Sequence, residues 1–255
     1  MNAIQREKAI ASYVLERGDA RFNELAEIFG VSRMTIHRHI ERLSRQGVVR
    51  KLRGSVSAQP SSVYESLFSF RQNRAKKVKK LLATAAFEEI NSGEVILIDD
   101  STTATEVAPL LEKKTPLKVV TNSLGLFSKL VTQDNISVLA LGGEYHPTYQ
   151  AFIGHLCENA LAGLRVNTLI CSTSAVDDGM ALIQDSAVTR VKQAMMRAAN
   201  KKILIVDSGK FGKVALNAFA PLKAFQLVIT DDGLNNETIA RLRLDGVKLR
   251  VVTNH

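Results

Sequence analysis

At the start of the chain, apolar positions recur at helical spacing and the runs stop at glycines. Residues 4–17 place Ile4, Ile10, Val14 and Leu15 near one face and end at Gly18, which predicts a first helix. A second predicted helix, 22–29, turns Leu25, Ala26 and Phe29 inward and stops at Gly30. A third begins after Ser32, a good N-cap, and carries Ile36, Ile40 and Leu43 on one stripe until Gly47 closes it. Residues 48–56 then read as two short strands around a turn. A polar segment, 57–64 (SAQPSSVY), breaks the pattern, and a basic stretch from Arg71 to Lys80 runs into a helical 78–90.

From Val95 the pattern changes to short apolar runs that alternate with helical segments. Strands are predicted at 95–98, 117–120, 136–141, 168–171, 203–206, 227–229 and 249–252. Helices are predicted between them at 105–111, 124–132, 153–161, 188–200 and 237–245. Near-continuous apolar strands alternating with helices predict a mostly parallel sheet covered on both faces. The expected fold is therefore an α+β winged helix-turn-helix followed by a larger α/β domain. The expected boundaries are 1–57 for the winged domain, 58–74 for a linker and 75–255 for the second domain.

Charge sharpens this division. Of the formal net charge of +9, residues 1–57 hold 11 Lys/Arg against 6 Asp/Glu, a balance of +5. Residues 58–80 hold 6 against 1, another +5, and the remaining 175 residues hold 17 against 18. A basic module attached to a neutral one suits a phosphate-backbone binder with a separate sensing domain. Other classes fall away. No run reaches the roughly 18 apolar residues of a membrane span, and the first ten residues (MNAIQREKAI) are charged where a signal peptide has its apolar core. A cytoplasmic protein is expected. Cys157 and Cys171 sit in apolar surroundings without metal-ligand spacing, so buried free thiols and no metal are expected. The chain contains no G-x-x-x-x-G-K-[ST] phosphate loop, and no cofactor is implied.

Three short helices before a basic hairpin make a winged helix-turn-helix. Ala26 is small where two helices cross, and Gly30 allows the tight turn between them. With Ile36, Ile40 and Leu43 holding the third helix to the core, Met34, His37 and Arg38 are left on the side that can enter a major groove of double-stranded operator DNA. Ser32, Arg33 and Thr35 lie at the helix start, where they can bond phosphate with help from the helix dipole. Arg50, Lys51 and Arg53 would set the wing against the adjacent backbone. His39, at the buried edge of the stripe, is expected to be a packed structural residue. The segment ELAEIFGVSRMTIHRHIERLSRQGVVRKLRGSV resembles the amino-terminal signature of the DeoR-type repressors, named for the deoxyribose operon. It departs from that family at His37 and His39, where a second Arg and an Asp are usual. It departs again at Gly54-Ser55-Val56, where the wing tip is usually Gly-Gly-Ala.

The second domain places a polar loop after each of five apolar runs, where open α/β sheets bind ligands. These loops are 99–104 (DDSTTA), 121–123 (TNS), 142–144 (GGE), 172–179 (STSAVDDG) and 207–212 (DSGKFG). Small hydroxyl residues and free amides at a helix start make a phosphate cradle, and paired glycines let a backbone approach closely. Over residues 75–255 the set is similar to the DeoR-type sensor domain, which implies a fold like ribose-5-phosphate isomerase. The resemblance implies that Asp99, Thr102 and Thr103 belong to the phosphate loop, with Ser101 in place of its Gly. It also implies roles for Asn122 and Lys210, and Gly142, Gly143, Ser174 and Asp177 complete the expected effector set. The function implied is a repressor of a carbohydrate-utilisation operon, controlled by a sugar phosphate and assembled as a dimer or tetramer. The alternative is a sugar-phosphate isomerase or deaminase with a regulatory appendage, for which Asp99, Asp177 and Lys210 could supply acid and base. The helix-turn-helix favours the repressor.

Overall fold

In the computed structural model, Asn2 opens the first helix by accepting the Gln5 amide at 2.9 Å, while Gln5 Oε1 accepts the Asn2 amide at 3.0 Å. This reciprocal cap starts α1 (Ala3–Arg17), which is followed by β1 (Asp19–Arg21), α2 (Phe22–Phe29) and α3 (Arg33–Arg45). Two more strands, β2 (Val49–Lys51) and β3 (Ser55–Ala58), complete an antiparallel sheet in the order β1-β3-β2. The described residues are 2–45, 48–58, 71–72 and 74–253, and the chain divides into units 1–74 and 75–255. The side chains of Ile4 and Leu15, the helix-closing Gly47 and linker positions 59–70 and 73 lie outside the described residues.

The first unit is built on the expected stripes. Ile10, Val14, Leu25, Ile36 and Ile40 are completely buried, joined by Leu43, Val48 and Val49. Gly30 ends α2 in the left-handed conformation (φ 62°, ψ 38°), which a side chain would strain. Strand β1 was not expected. Its only buried residue is Ala20, and pairing with β3 (Asp19 to Ser57, Arg21 to Ser55) defines it.

The second unit centres on seven parallel strands in the order β15-β14-β12-β9-β4-β5-β6. They are β4 (Val95–Ile98), β5 (Leu117–Thr121), β6 (Ile136–Ala140), β9 (Val166–Cys171), β12 (Ala199–Ile205), β14 (Leu227–Asp231) and β15 (Leu249–Val252). One face carries α4 (Lys76–Glu88), a 3₁₀ segment (Ala104–Lys114) and α5 (Leu124–Leu130), packed on Ile96, Ile98, Val119 and Ile203. The other carries α6 (His155–Ala162), α7 (Ser186–Ala198) and α8 (Asn236–Leu244), packed on Leu97, Leu169, Leu204 and Val228. Neighbours such as Ile96 and Leu97 thus serve opposite faces, which explains the unbroken apolar runs.

Several elements differ from expectation. The predicted helix at 105–111 is the 3₁₀ segment, which contains Pro109; proline lacks the amide an α-helix needs and crowds the preceding turn. Strand β12 starts at Ala199, so it takes residues expected to end the preceding helix. Two short hairpins were not foreseen: β7 (Glu144–His146) with β8 (Ala151–Ile153), and β10 (Ala175–Asp177) with β11 (Met180–Ile183), the latter joined by β13 (Asn217–Pro221). Ile153 closes β8, so the helix expected at 153–161 begins at His155.

The order of the parallel sheet marks a candidate site. The chain winds from β4 outward through β5 to β6, then returns to β9 and winds the other way through β12, β14 and β15. The reversal lies between β4 and β9, and doubly wound sheets leave a crevice at the carboxyl ends of such a pair.

Candidate functional site

Two surfaces carry chemistry. In the first unit, Ser32 caps α3: its hydroxyl accepts the Thr35 amide at 3.2 Å and meets Thr35 Oγ1 at 3.0 Å. Opposite the buried stripe, Arg33, Met34 and Arg38 are exposed, with Met34 at 70%. His37 is half-buried, edge-on to Phe22 with ring centres 5.9 Å apart, and its Nδ1 lies 3.7 Å from Glu41. On the wing, Arg50, Lys51 and Arg53 are exposed, and Lys51 also pairs with Glu41 at 3.4 Å. His39 is buried with Nδ1 3.2 Å from Glu7 Oε2, as a packed residue should be.

The second surface is the β4–β9 crevice, and Asp99 organises it. One carboxylate oxygen accepts the Ser101 amide at 3.0 Å and the Ser101 hydroxyl at 2.5 Å. The other accepts the Ser172 amide at 3.0 Å and the ammonium of Lys192. Asp99 therefore ties the loop after β4 to the loop after β9. Lys192 also donates to the Ser172 carbonyl at 2.9 Å. Burial disfavours the charged form of Lys192, but the Asp99 and Asp100 carboxylates outweigh it and hold its pKa above the ordinary lysine value.

Ser101, in place of the family's glycine, leaves the ligand space to others. Its hydroxyl turns back to Asp99 and accepts the Ala104 amide at 3.1 Å, which caps the 3₁₀ segment. Thr102 and Thr103 are buried, and among the described residues no backbone carbonyl accepts their amides. Thr102 Oγ1 accepts Lys79 Nζ at 2.9 Å. Lys210 reaches in from the loop after β12, donating to the Thr173 carbonyl at 2.8 Å and the Ser172 hydroxyl at 3.3 Å, with Asp207 at 3.4 Å.

Asn122 follows β5, the neighbour of β4. Its amide nitrogen donates to the Phe152 carbonyl at 3.1 Å, while its buried Oδ1 has no hydrogen-bond partner among the described residues. The remaining expected positions lie differently. Gly143 (φ 147°) backs onto strand β8, where a Cβ would come within 2.5 Å of the Ile153 carbonyl, so its glycine serves packing. Gly142 is exposed, and Ser174 is exposed with its amide bound to Leu182 O at 3.0 Å. Asp177 lines a separate cleft of about 330 Å³ with Ser208, Phe211, Asn235 and Arg241.

Sequence reasoning missed Lys79 and Lys192, 3% and 4% exposed. A signal existed. Lys192 falls four positions after Val188 and three before Met195, and Lys79 falls three before Leu82, so both interrupt apolar stripes. The thiols of Cys157 and Cys171 are buried, and burial pushes the Cys157 pKa up to about 12 and raises that of Cys171.

The sequence model of the DeoR C terminal sensor domain matches residues 74–232, and that of the DeoR-like helix-turn-helix domain matches residues 6–61. The chain belongs to the DeoR family. It is 28% identical over 235 residues to the lactose phosphotransferase system repressor of Staphylococcus epidermidis, covering 91% of this chain and 93% of that one. To the L-fucose operon activator of Haemophilus influenzae it is 29% identical, covering 90% and 92%. Ribose 5 phosphate isomerase A from Neisseria gonorrhoeae superposes with a TM-score of 0.38 at 20% identity, over 54% of this chain and 53% of that one. Among the described residues of this DeoR-family regulator, no helix is long and apolar enough to cross a membrane. No cluster of His, Cys, Asp or Glu among them could hold a metal ion.

Proposed function

We propose that this DeoR-family chain represses a carbohydrate-utilisation operon and responds to a sugar phosphate held in the β4–β9 crevice. One observation carries the reading: the loop of Thr102 and Thr103, bonded by Lys79, and the loop of Ser172 and Thr173, bonded by Lys210, are tied together by Asp99 where the winding of the sheet reverses. A phosphate leaving water needs cations or several N–H donors, and this crevice supplies both. Asn122 Oδ1, buried and without a partner among the described residues, suits a sugar hydroxyl. Asp99, with four donors already on its two oxygens, positions the loops.

The same economy speaks for binding over turnover. An isomerase needs a base beside the reacting carbon. Asp99 is committed to its four donors, and Asp177 lies in the other cleft. On the DNA side, α3 reads the major groove through Met34, His37 and Arg38, with Ser32, Arg33, Thr35, Arg50, Lys51 and Arg53 on the backbone. One such helix reads a half-site, so a symmetric assembly, a homodimer or a tetramer of two dimers, suits an operator of paired half-sites. The effector acts by linkage: it binds the DNA-competent and DNA-incompetent arrangements with different affinity and shifts their populations.

Calorimetry on the full chain, with a panel of pentose and hexose phosphates and the parent sugars, tests the reading. A sugar phosphate should bind saturably, without product, and far more tightly than its unphosphorylated sugar. Lys210→Ala should keep operator affinity while losing the response to effector. Equal binding of sugar and sugar phosphate would remove the phosphate from the model, and turnover would make the protein an enzyme.

A further inference from the structure

Helix α4 is held very differently at its two ends. At its carboxyl end, Lys114 donates to the carbonyls of Phe87, Glu88 and Ile90 at 2.9, 3.2 and 2.5 Å. Lys201 adds a bond to the Glu89 carbonyl at 3.1 Å. These ammonium groups satisfy the orphan carbonyls and suit the negative end of the helix dipole. The amino end has the opposite character. Its N-cap is Ala75, in the left-handed conformation (φ 52°, ψ 36°), and among the described residues no side chain caps its first amides. The left-handed region is strained for an alanine, whose Cβ crowds the following carbonyl. The first turns hold Lys76, Lys77, Lys79 and Lys80 and no acidic residue, so four cations face the positive end of the dipole.

Against that background, Lys79 is the exception. Lys76, Lys77 and Lys80 are exposed, whereas Lys79 is buried and bonds Thr102 Oγ1 in the phosphate loop. Ala75, which accepts the Lys79 amide at 3.0 Å, is the first residue of the second unit. One residue thus belongs both to the effector crevice and to the turn by which the chain enters the sensor. We propose that Lys79 is the coupling residue: an effector phosphate on the 102–103 loop fixes the first turn of α4 through it, and the segment from the DNA-binding unit then enters the sensor in a single geometry. This inference rests on the effector reading of the crevice. A dianion beside Lys79 adds negative charge at an end of the helix whose first turn holds no acidic residue, and it opposes both the four-lysine repulsion and the strain at Ala75. With the carboxyl end fixed by Lys114, the gain falls on the first turn.

Amide hydrogen exchange on the full chain, with tens of millimolar inorganic phosphate as the probe, tests the proposal. Phosphate should shift the Thr102 and Thr103 amide resonances and slow exchange at residues 79–82, whose amides bond back to the first turn, by about five-fold or more. Exchange at 84–88 should not change. In Lys79→Gln, with phosphate raised until the Thr102 and Thr103 shifts saturate, the slowing should be absent. Ala75→Gly, at an exposed position, removes the left-handed penalty; it should protect 79–82 by about five-fold without phosphate and shrink the further effect of phosphate. Shifted Thr102 and Thr103 amides with unchanged exchange at 79–82 would overturn the coupling and leave the effector reading standing. Absence of those shifts with both phosphate and sugar phosphates would overturn the two together. Should Lys79→Gln not fold, Ala75→Gly decides alone: exchange and phosphate response equal to the parent's would defeat the proposal.

Discussion

The two units carry their positive charge in opposite ways. In the DNA-binding unit the cations stand in water, with Arg33, Arg38, Arg50 and Arg53 all exposed. In the sensor the cations that matter are withdrawn: Lys79 and Lys192 are buried and bonded, and Lys210 is half-buried. A solvated cation costs little to maintain and suits a partner with many charges, whose own counterions are released on contact. A buried cation is costly unless counter-charges stand in fixed positions around it. The first arrangement suits a polyanion met over a wide surface, and the second suits one small anion at one point. Net charge along the sequence reveals the first and is blind to the second.

The largest test of this contrast is Lys192→Met. It leaves Asp99 buried with its cation gone, and should destabilise the sensor by about 3–5 kcal/mol in denaturant unfolding. Adding Asp99→Asn should recover much of that loss. Because the folded pKa of Lys192 is raised, its contribution is complete below the unfolded value of about 10.4 and is lost only as pH rises through the folded value. The gap between parent and variant should therefore stay constant from pH 6 to about 9. A loss below about 1 kcal/mol would mean that this cation is no more demanding than an exposed one.

Smaller effects belong to the exposed set. Arg38→Ala should weaken binding to the native operator by about 1–3 kcal/mol with circular dichroism unchanged, if its side chain reads a guanine edge. Equal affinity for parent and variant would take Arg38 off the reading surface. Neutralising Arg50, Lys51 and Arg53 together should flatten the salt dependence of DNA binding by up to about one counterion per lost phosphate contact. Lys51 should contribute least, since Glu41 already engages it. An unchanged slope would separate the wing from the DNA backbone.

Legibility followed the same line. The stripe of Ile36, Ile40 and Leu43 and runs such as 95–98 reveal themselves because local spacing alone decides which face is buried. Strands β10, β11 and β13 did not, because Met180 finds its partner in Pro221 and no local period records so distant a pairing. Lys79 and Lys192 escaped notice because a lysine within an apolar stripe looks like an interruption until its partner on another loop is known. Gly143 was legible as a residue needing close approach, but the approaching group is the Ile153 carbonyl.

The reversal of strand order also sets a timetable for synthesis. Strand β4 lies between β5 and β9, pairing Leu97 with both Val120 and Leu169, so the middle of the sheet cannot close until the chain has been made well past its midpoint. Lys192 and Lys210 emerge from the ribosome later still. Among the described residues, the sheet and the core of the first unit are complete by residue 58, and domains fold as units, amino-terminal first, during translation. A nascent chain therefore owns a finished DNA reader while the β4–β9 crevice is still missing a wall. Any regulation by the effector begins only once the carboxyl-terminal half has folded behind it.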